Sequence, residues 1–592
     1  MAKPIDLRKT RKTLFSLLRP EAGFFWVAIA YGVAISLMTL AVPIAVQTLI
    51  NSIANIGSTR AVIILAVILF LTLFISGVFS ALRMRVMEFY ERKVYARLTA
   101  DLGLKTILAP HSFFEGRQNV SITQRYFDIM TFQKNMPSLM IDGFALVLQM
   151  LVGFTLVSFY HPALFAFNVV LLLTMYAVWK IWGRGAKRTA IELSHAKYDS
   201  AKWLHDIATA HEFFKSADHV EYAGRSTEGY ISNYVKKHKS HFHYTFSQVV
   251  MFLLMYAVAS ASLLGIGGVL VVQGELSIGQ LVAAELVMSA VFFGLSRFTQ
   301  YLKLYYELYG AAEKLGGALA MPQEELNASE HIPASSKLVF NDVELKHGND
   351  SCNLNVVFEP GTKYFVTTDK SWVQKQLLGL LKQYDRVKSG DILLGELSLN
   401  DYDTHELRQA VTILDRSLII EVSIERYLKL AHPQATIADI RAALEEVEMT
   451  KVIDSLPEGL QTKVSVLGTP LQPLEFEFLL LKLAAAIIGK PKLLILNQHF
   501  DAIPIELRTR LLRRLSKYDF TVMYFTNMPI PDCFEGVLHL HDNATAMLNE
   551  YTNGESPVAS VKESTSAMNA QTNSAQKADV QKNDVKNNKE DK

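Results

Sequence analysis

Cysteine is almost absent from this chain of 592 residues: only Cys352 and Cys533 occur, both in the second half. Two isolated thiols exclude a disulfide framework or a cysteine-rich metal cluster, and they suit a reducing compartment. Charge is scarce as well. Asp, Glu, Lys and Arg make up 20% of the residues against 50% hydrophobic, and 59 basic side chains nearly cancel 57 acidic ones, leaving +2. So small a net charge creates no field for nucleic acid, which is not an expected partner. An apolar half is too much for a wholly soluble chain, and the length excludes one compact domain.

What is present is a set of six apolar runs, each long enough to cross a bilayer as a helix. They lie near Phe24–Ile50, Ala61–Leu82, Leu139–Tyr160, Ala163–Trp182, Val249–Val272 and Gly279–Phe298. The first follows a basic leader with Lys3, Arg8, Lys9, Arg11, Lys12 and Arg19. It is too long for a signal-peptide core and is expected to be retained. Spans three and four are joined by little more than His161-Pro162, and spans five and six by residues 273–277. Two excursions of about fifty to sixty-five residues separate spans two from three and four from five. Basic residues concentrate in the leader and the excursions, for example Arg92, Lys93, Arg97, Lys180, Arg184 and Lys187. The positive-inside rule places both termini and both excursions in the cytoplasm. Helical periodicity in the excursions predicts that they prolong the membrane helices.

After Leu319 the texture changes. Polar residues around Glu324–Ser336 read as a linker, and short β-type runs then alternate with helical ones. Strands are expected at Tyr364–Thr367, Thr412–Leu414, Leu493–Leu496 and Thr521–Thr526, and helices at Trp372–Lys382, Ile437–Glu448, Leu474–Ile488 and Ile505–Ser516. This alternation predicts an α/β domain. From Gly554 onward there is no aromatic residue, and the segment is expected to be a disordered tail. The division is therefore a leader at 1–22, a six-helix membrane domain at 23–319, a linker at 320–336, an α/β domain at 337–549 and a tail at 550–592.

Ordered local phrases sharpen this layout. His111-Ser112-Phe113-Phe114-Glu115, Leu276-Ser277-Ile278-Gly279-Gln280-Leu281, Pro360-Gly361, Ser389-Gly390-Asp391-Ile392, Leu456-Pro457-Glu458-Gly459 and the run Lys490–Leu496 follow one another at family spacing. Over about residues 15 to 545 the chain resembles an ABC exporter half-transporter. The resemblance implies an all-α six-helix membrane domain followed by an α/β P-loop NTPase-like domain. It also implies a multi-pass protein of the lipid bilayer, in the cytoplasmic membrane if bacterial, that works as a homodimer or as a heterodimer with another half-transporter.

The resemblance further implies where nucleotide chemistry should sit, and there the sequence departs. A P-loop needs glycines so that backbone N–H groups can close around phosphates. No glycine occurs from Thr362 to Leu378. In the stretch that opens at Thr368, Val373 falls where the second glycine belongs, Gln374 where the phosphate-binding lysine belongs, and Lys375 where the magnesium-binding hydroxyl belongs. A β-branched residue at that glycine position would have to adopt positive φ, which is an outlier. After Leu493–Leu496 the expected Asp-Glu pair is Asn497-Gln498, near-isosteric amides that lack charge and basicity. Asn527 takes the place of a phosphate-contacting histidine, His347 falls near the adenine-stacking position, and a glutamine that links the site to the membrane helices is Asp415 or Arg416. The signature equivalent, Leu471-Gln472-Pro473-Leu474-Glu475-Phe476-Glu477, has no glycine. The expectation is a degenerate domain that is not an enzyme, has no catalytic residue or metal site, and needs neither ATP nor magnesium as cofactor.

One ionisable residue stands inside an apolar span. Glu285 is roughly 9 Å into the sixth. It either lines a cavity and selects cationic or polar cargo, or lies close enough to the outer interface to stay hydrated. Three functions compete: a transport subunit unable to hydrolyse ATP, a structural or regulatory scaffold of a membrane transport or secretion complex, and a conventional ATP-driven exporter. The complete six-helix layout favours transport.

Overall fold

The computed structural model describes residues 6–55, 59–115, 119–415, 420–465, 469–471, 476–530, 533–540 and 544–550. The expected tail beyond Glu550 lies outside the described residues, as do Arg416 and residues 472–475 of the signature equivalent. The chain divides into two compact units, Met1–Glu324 and Glu325–Lys592.

The first unit is helical: α1 (Leu7–Leu18), α2 (Ala22–Thr39), α3 (Ala41–Asn55), α4 (Thr59–Ile107), α5 (His111–Glu115), α6 (Asn119–Pro137), α7 (Phe144–Ser158), α8 (Pro162–Thr209), α9 (Ala217–Val272) and α10 (Ile278–Leu319). Six helical segments among the described residues are long and apolar enough to cross a membrane. The first expected span is two helices, because Pro43 in the first turn of α3 has no N–H to carry the ladder across Leu40. The third passes through a π-helical stretch at Ser138–Gly143 between α6 and α7.

Helices α4, α8, α9 and α10 contain 49, 48, 56 and 42 residues, all longer than about 20 needed to span. The surplus turns of α4, α8 and α9 belong to the polar excursions, and those of α10 follow the sixth span. Local chemistry sets the short links: Pro162 opens α8 behind the His161 cap, and Ser277 with Gln280 forms a capping box at α10. Gly185 allows α8 and α9 to touch, since a Cβ there would stand 2.2 Å from Cε1 of Tyr244.

The basic leader is itself a helix. Asp6 caps α1 by accepting from the N–H groups of Arg8 and Lys9, and Leu14 and Leu17 bury against α4 and α10 residues such as Leu98, Leu308 and Leu315. The expected linker is divided between the units. The Glu324 N–H donates to Leu108 in the first, whereas Asn327 bonds Thr404, and Ser336 bonds Asp519 and Thr521, in the second.

The second unit contains β1 (Leu338–His347), β2 (Asp350–Phe358), β3 (Lys363–Thr368), α11 (Ser371–Leu381), β4 (Asp391–Leu394), β5 (Leu397–Ser398), α12 (Thr404–Ala410), β6 (Val411–Leu414), β7 (Val422–Ser423), α13 (Ile424–Ala431), α14 (Ile437–Glu446), α15 (Thr450–Asp454), β8 (Lys463–Val464), α16 (Glu477–Gly489), β9 (Leu493–Leu496), α17 (Ile505–Leu515), β10 (Thr521–Phe525), β11 (Gly536–Leu540), β12 (Ala544–Thr545) and β13 (Met547–Glu550). The main sheet runs β13-β11-β3-β10-β9-β6, and its β11, β3, β10, β9 and β6 pair in parallel. Strands β9 and β10 are buried throughout, as continuous apolar runs covered on both faces should be.

Helices α13, α14, α16 and α17 cover one face with Leu428, Leu444, Leu481 and Leu511. The other packs on α11 and the sheet β12-β2-β1-β4-β5, antiparallel except for the parallel β12–β2 pair. The chain leaves β3 in the sheet interior and returns at the edge strand β6, so the order reverses beside β3. Ligand crevices of open α/β sheets form at the carboxyl ends of strands at such a switch point.

Candidate functional site

The carboxyl ends of β3, β9 and β10 carry three short polar segments. Thr368 closes β3, its Oγ1 donating to the Lys370 carbonyl at 3.0 Å and accepting from the Lys370 N–H at 3.3 Å. Only Asp369 and Lys370 separate β3 from α11, whose N-cap has no side-chain hydrogen bond. Val373 is accordingly not a strained loop residue at positive φ: it lies in the first turn of α11, fully buried in the core, and the expected outlier does not occur. The helix has absorbed residues that the resemblance assigned to the loop.

The structure brings Gln374 and Asn497 together. Gln374 is buried, and its Nε2 donates to Asn497 Oδ1 at 2.8 Å. A neutral amide pair thus joins the two positions that the resemblance matches to a lysine and a magnesium-holding carboxylate. Gln498 is half-buried and opens a 3-10 turn at Gln498–Ala502, while Lys375 is exposed on the next position of α11. His347 stacks on Trp372, rings 5.7 Å apart and 22° from parallel, so one face is covered by a side chain of α11. Asn527 is exposed, two residues beyond β10.

Two polar links were not foreseen from sequence. Asp501 Oδ1 accepts from Arg508 Nη1 at 2.9 Å, from Thr526 Oγ1 at 2.8 Å and from the Tyr524 hydroxyl. Arg508 is buried at 3% exposure, and burial followed by the Asp501 hydrogen bond pushes the Tyr524 phenol upward. Asp415, at the end of β6, holds Lys482 of α16 through its carbonyl at 3.0 Å and its carboxylate at 3.4 Å. Burial lowers the Lys482 ammonium from its ordinary range, and Asp415 partly restores it. A charged residue amid the apolar run of α16 was the sequence signal for the second link; the first had none, because its members lie on three elements.

The amide pair offers a cation no net charge, and among the described residues no three His, Cys, Asp or Glu side chains group as a metal site. In the first unit, Glu285 is half-buried on α10, and its Oε2 is sealed from solvent without a hydrogen-bond partner among the described residues.

Comparison with known families decides the first unit. The profile of the ABC transporter transmembrane region matches residues 25–296, across the helices described above. This chain carries the membrane domain of an ABC transporter. With its α/β unit it has the layout of an ABC exporter half-transporter.

Relatives of the ABC membrane protein extend beyond that domain. It is 21% identical over 493 residues to the alpha-hemolysin translocation ATP-binding protein HlyB of Escherichia coli, covering 82% of this chain and 69% of the relative. It is equally similar, with the same coverage, to the leukotoxin export ATP-binding protein LtxB of Aggregatibacter actinomycetemcomitans. The leukotoxin translocation ATP-binding protein LktB of Mannheimia haemolytica is 21% identical over 496 residues. These names overturn the expectation that the chain is not an enzyme: the relatives are ATP-binding translocators, and the aligned length exceeds either unit alone. They also set ATP against the expectation that no cofactor is needed.

Proposed function

We propose that the chain is a membrane transport subunit of the ABC exporter type, acting in the bilayer as a homodimer or with a second half-transporter. The observation that carries this reading is the membrane-region match over six spans, followed by a parallel α/β unit with its switch point at β3. Both termini and the helical extensions lie on the cytoplasmic side, in accord with their basic residues. The divisions at 1–22, 23–319, 320–336, 337–549 and 550–592 are our working boundaries.

The α/β unit handles nucleotide with a slowed chemical step. Gln374 and Asn497 bond each other instead of a phosphate and a metal, and Gln498 has no basicity with which to activate water. A missing general base costs about 10²- to 10⁴-fold, so a turnover near the typical ~10 s⁻¹ for enzymes falls below about 0.1 s⁻¹. The test is ATP binding and turnover by the full-length protein in nanodiscs, alone and with any co-purifying membrane partner. Turnover of several per second by the chain alone would remove the slowed-site reading. A stable partner complex whose transport is unaffected by this chain's nucleotide would favour the scaffold.

A further inference from the structure

On α8 the exposed face changes character where the fourth apolar run ends. Val170, Leu173, Ala177, Ile181 and Arg184 follow at steps of three and four, so they share one face, and all are exposed. The first four are apolar and the last is a cation. Rings mark the boundary: Tyr176 and Trp179 lie 6.1 Å apart, Lys180 Nζ is 5.7 Å from the Tyr176 ring, and Lys187 Nζ is 5.4 Å from the Trp179 ring. Aromatic and basic side chains together anchor a helix at a membrane–water interface. Arg184 and Lys187 are two and five residues beyond Trp182, or about 3 and 7.5 Å along the helix. A bilayer adds about 5–7.5 Å of headgroup layer on each side of its hydrocarbon, so both side chains reach it.

A third cation arrives from the leader helix. Helix α1 packs on α10 through Leu14 and Leu17, and Tyr309 of α10 has its ring 5.5 Å from Lys187 Nζ. Arg11 of α1 thereby comes close enough to act on Lys187. Among the described residues the charges acting on Lys187 are Arg11 and Arg184, both positive. The next carboxylate along α8, Glu192, is already shared by Arg188 at 2.9 Å and Lys237 at 2.8 Å. Three like charges from two helices repel one another, and an anion set among them turns that repulsion into attraction. In the headgroup layer the anion at hand is a lipid phosphate, and anionic lipids are drawn to basic clusters beside membrane helices. The apolar residues above Arg184 then offer a path for an acyl chain.

We propose that Arg11, Arg184 and Lys187 form a site for one anionic phospholipid, its phosphate between α1 and α8 and an acyl chain along residues 170–181. The lipid is a fixed bridge from the leader to the long arm of α8, not a cargo. The site depends on neither nucleotide nor a partner subunit.

The test is native mass spectrometry of the full-length protein in detergent micelles. It is titrated with palmitoyl-oleoyl phosphatidylglycerol and, separately, with the zwitterionic phosphatidylcholine of the same chains. The first phosphatidylglycerol should bind about tenfold tighter than the first phosphatidylcholine, and millimolar glycerol 3-phosphate should not displace it. A basic residue near the surface is worth about fivefold in affinity for anionic lipid. Arg184→Gln and Lys187→Gln should each weaken binding about fivefold, and Arg184→Glu should lower it to the phosphatidylcholine level. Lys202→Gln, which removes an exposed cation about 22 Å further along α8, should leave it unchanged. Equal affinity for the two lipids, no effect of Arg184→Gln and Lys187→Gln, or an equal loss in Lys202→Gln overturns the proposal. Displacement by glycerol 3-phosphate also overturns it, by assigning the cluster to a soluble phosphate. So does a disulfide between two copies of Ile181→Cys, which would show a second chain covering the acyl path.

Discussion

Removing the Asp501 carboxylate tests the energetic reading of the second unit most directly. In Asp501→Ala the Arg508 guanidinium stays buried at 3% exposure and loses its Oδ1 partner at 2.9 Å. Its Nε already has no partner among the described residues, and the Asp501 carbonyl, 3.1 Å from Nη1, stays in place but carries no net charge to offset the guanidinium. Breaking a buried ion pair from one side costs about 3–5 kcal/mol. The Asp501 side chain is 25% exposed, which argues for the lower end, about 3 kcal/mol. Tyr524 and Thr526 also lose their acceptor, while Thr526 Oγ1 still accepts from the Met528 N–H. The opposite truncation, Arg508→Met, leaves Asp501 with two hydroxyl donors and some water, and should cost only about 1 kcal/mol. Hydrogen exchange of β9 and β10 amides in the full-length protein reads the difference: about 150-fold faster exchange for Asp501→Ala and about fivefold for Arg508→Met. Equal effects, or a larger one for Arg508→Met, would refute the claim that the buried cation depends on this carboxylate.

Other substitutions probe separate points. Val373→Gly, which restores a family glycine, should destabilise the unit by about 3 kcal/mol, because it removes a buried side chain and puts glycine within α11; thermal unfolding measures this. Lys382 is pushed down to about 8 by burial and by Arg408. Below about pH 8 both folded and unfolded states carry the proton and the burial cost is fully present. Between about 8 and the unfolded value the folded state sheds it first, so stability rises with pH. Lys382→Met should therefore stabilise the unit at pH 7 by up to about 3 kcal/mol, with the gain vanishing near pH 10; unfolding followed against pH checks the window. A double-mutant cycle of Gln374→Ala and Asn497→Ala should give a coupling of about 1 kcal/mol. Ser277→Ala should cost about 1 kcal/mol and speed exchange at the Gln280 amide.

Hydropathy made the spans legible because a membrane helix is a local property of about 20 residues. Charge bias and periodicity likewise foretold that α4, α8 and α9 continue beyond the apolar runs. The break at Leu40 was readable from Pro43 but masked by the unbroken apolar run around it. In the α/β unit, β3, β9, β10, α11 and α17 fall within a residue or two of their expected bounds, since each is a short run with its own period. Val373 shows what motif alignment misses. A register carried over from a glycine-bearing loop cannot say that the loop has shortened and the helix has moved up to meet the strand. Gln374 and Asn497 were both singled out, yet their mutual bond crosses 123 positions and needs the sheet to bring it about. Asp501, Arg508 and Tyr524 are ordinary residues in sequence, made a site only by the packing of α17 against β10.

Helix α9 has a mechanical consequence. Its 56 residues extend about 84 Å, of which a bilayer core takes only about 30 Å. The remaining arm of about 54 Å is held along its side by α8. Tilting α9 by 5° about its membrane segment would sweep the far end through about 5 Å, nearly one helical turn. The α8–α9 hairpin therefore has the proportions of a lever: a shift of about 1 Å where Gly185 admits Tyr244 would be magnified into about 5 Å at the tip.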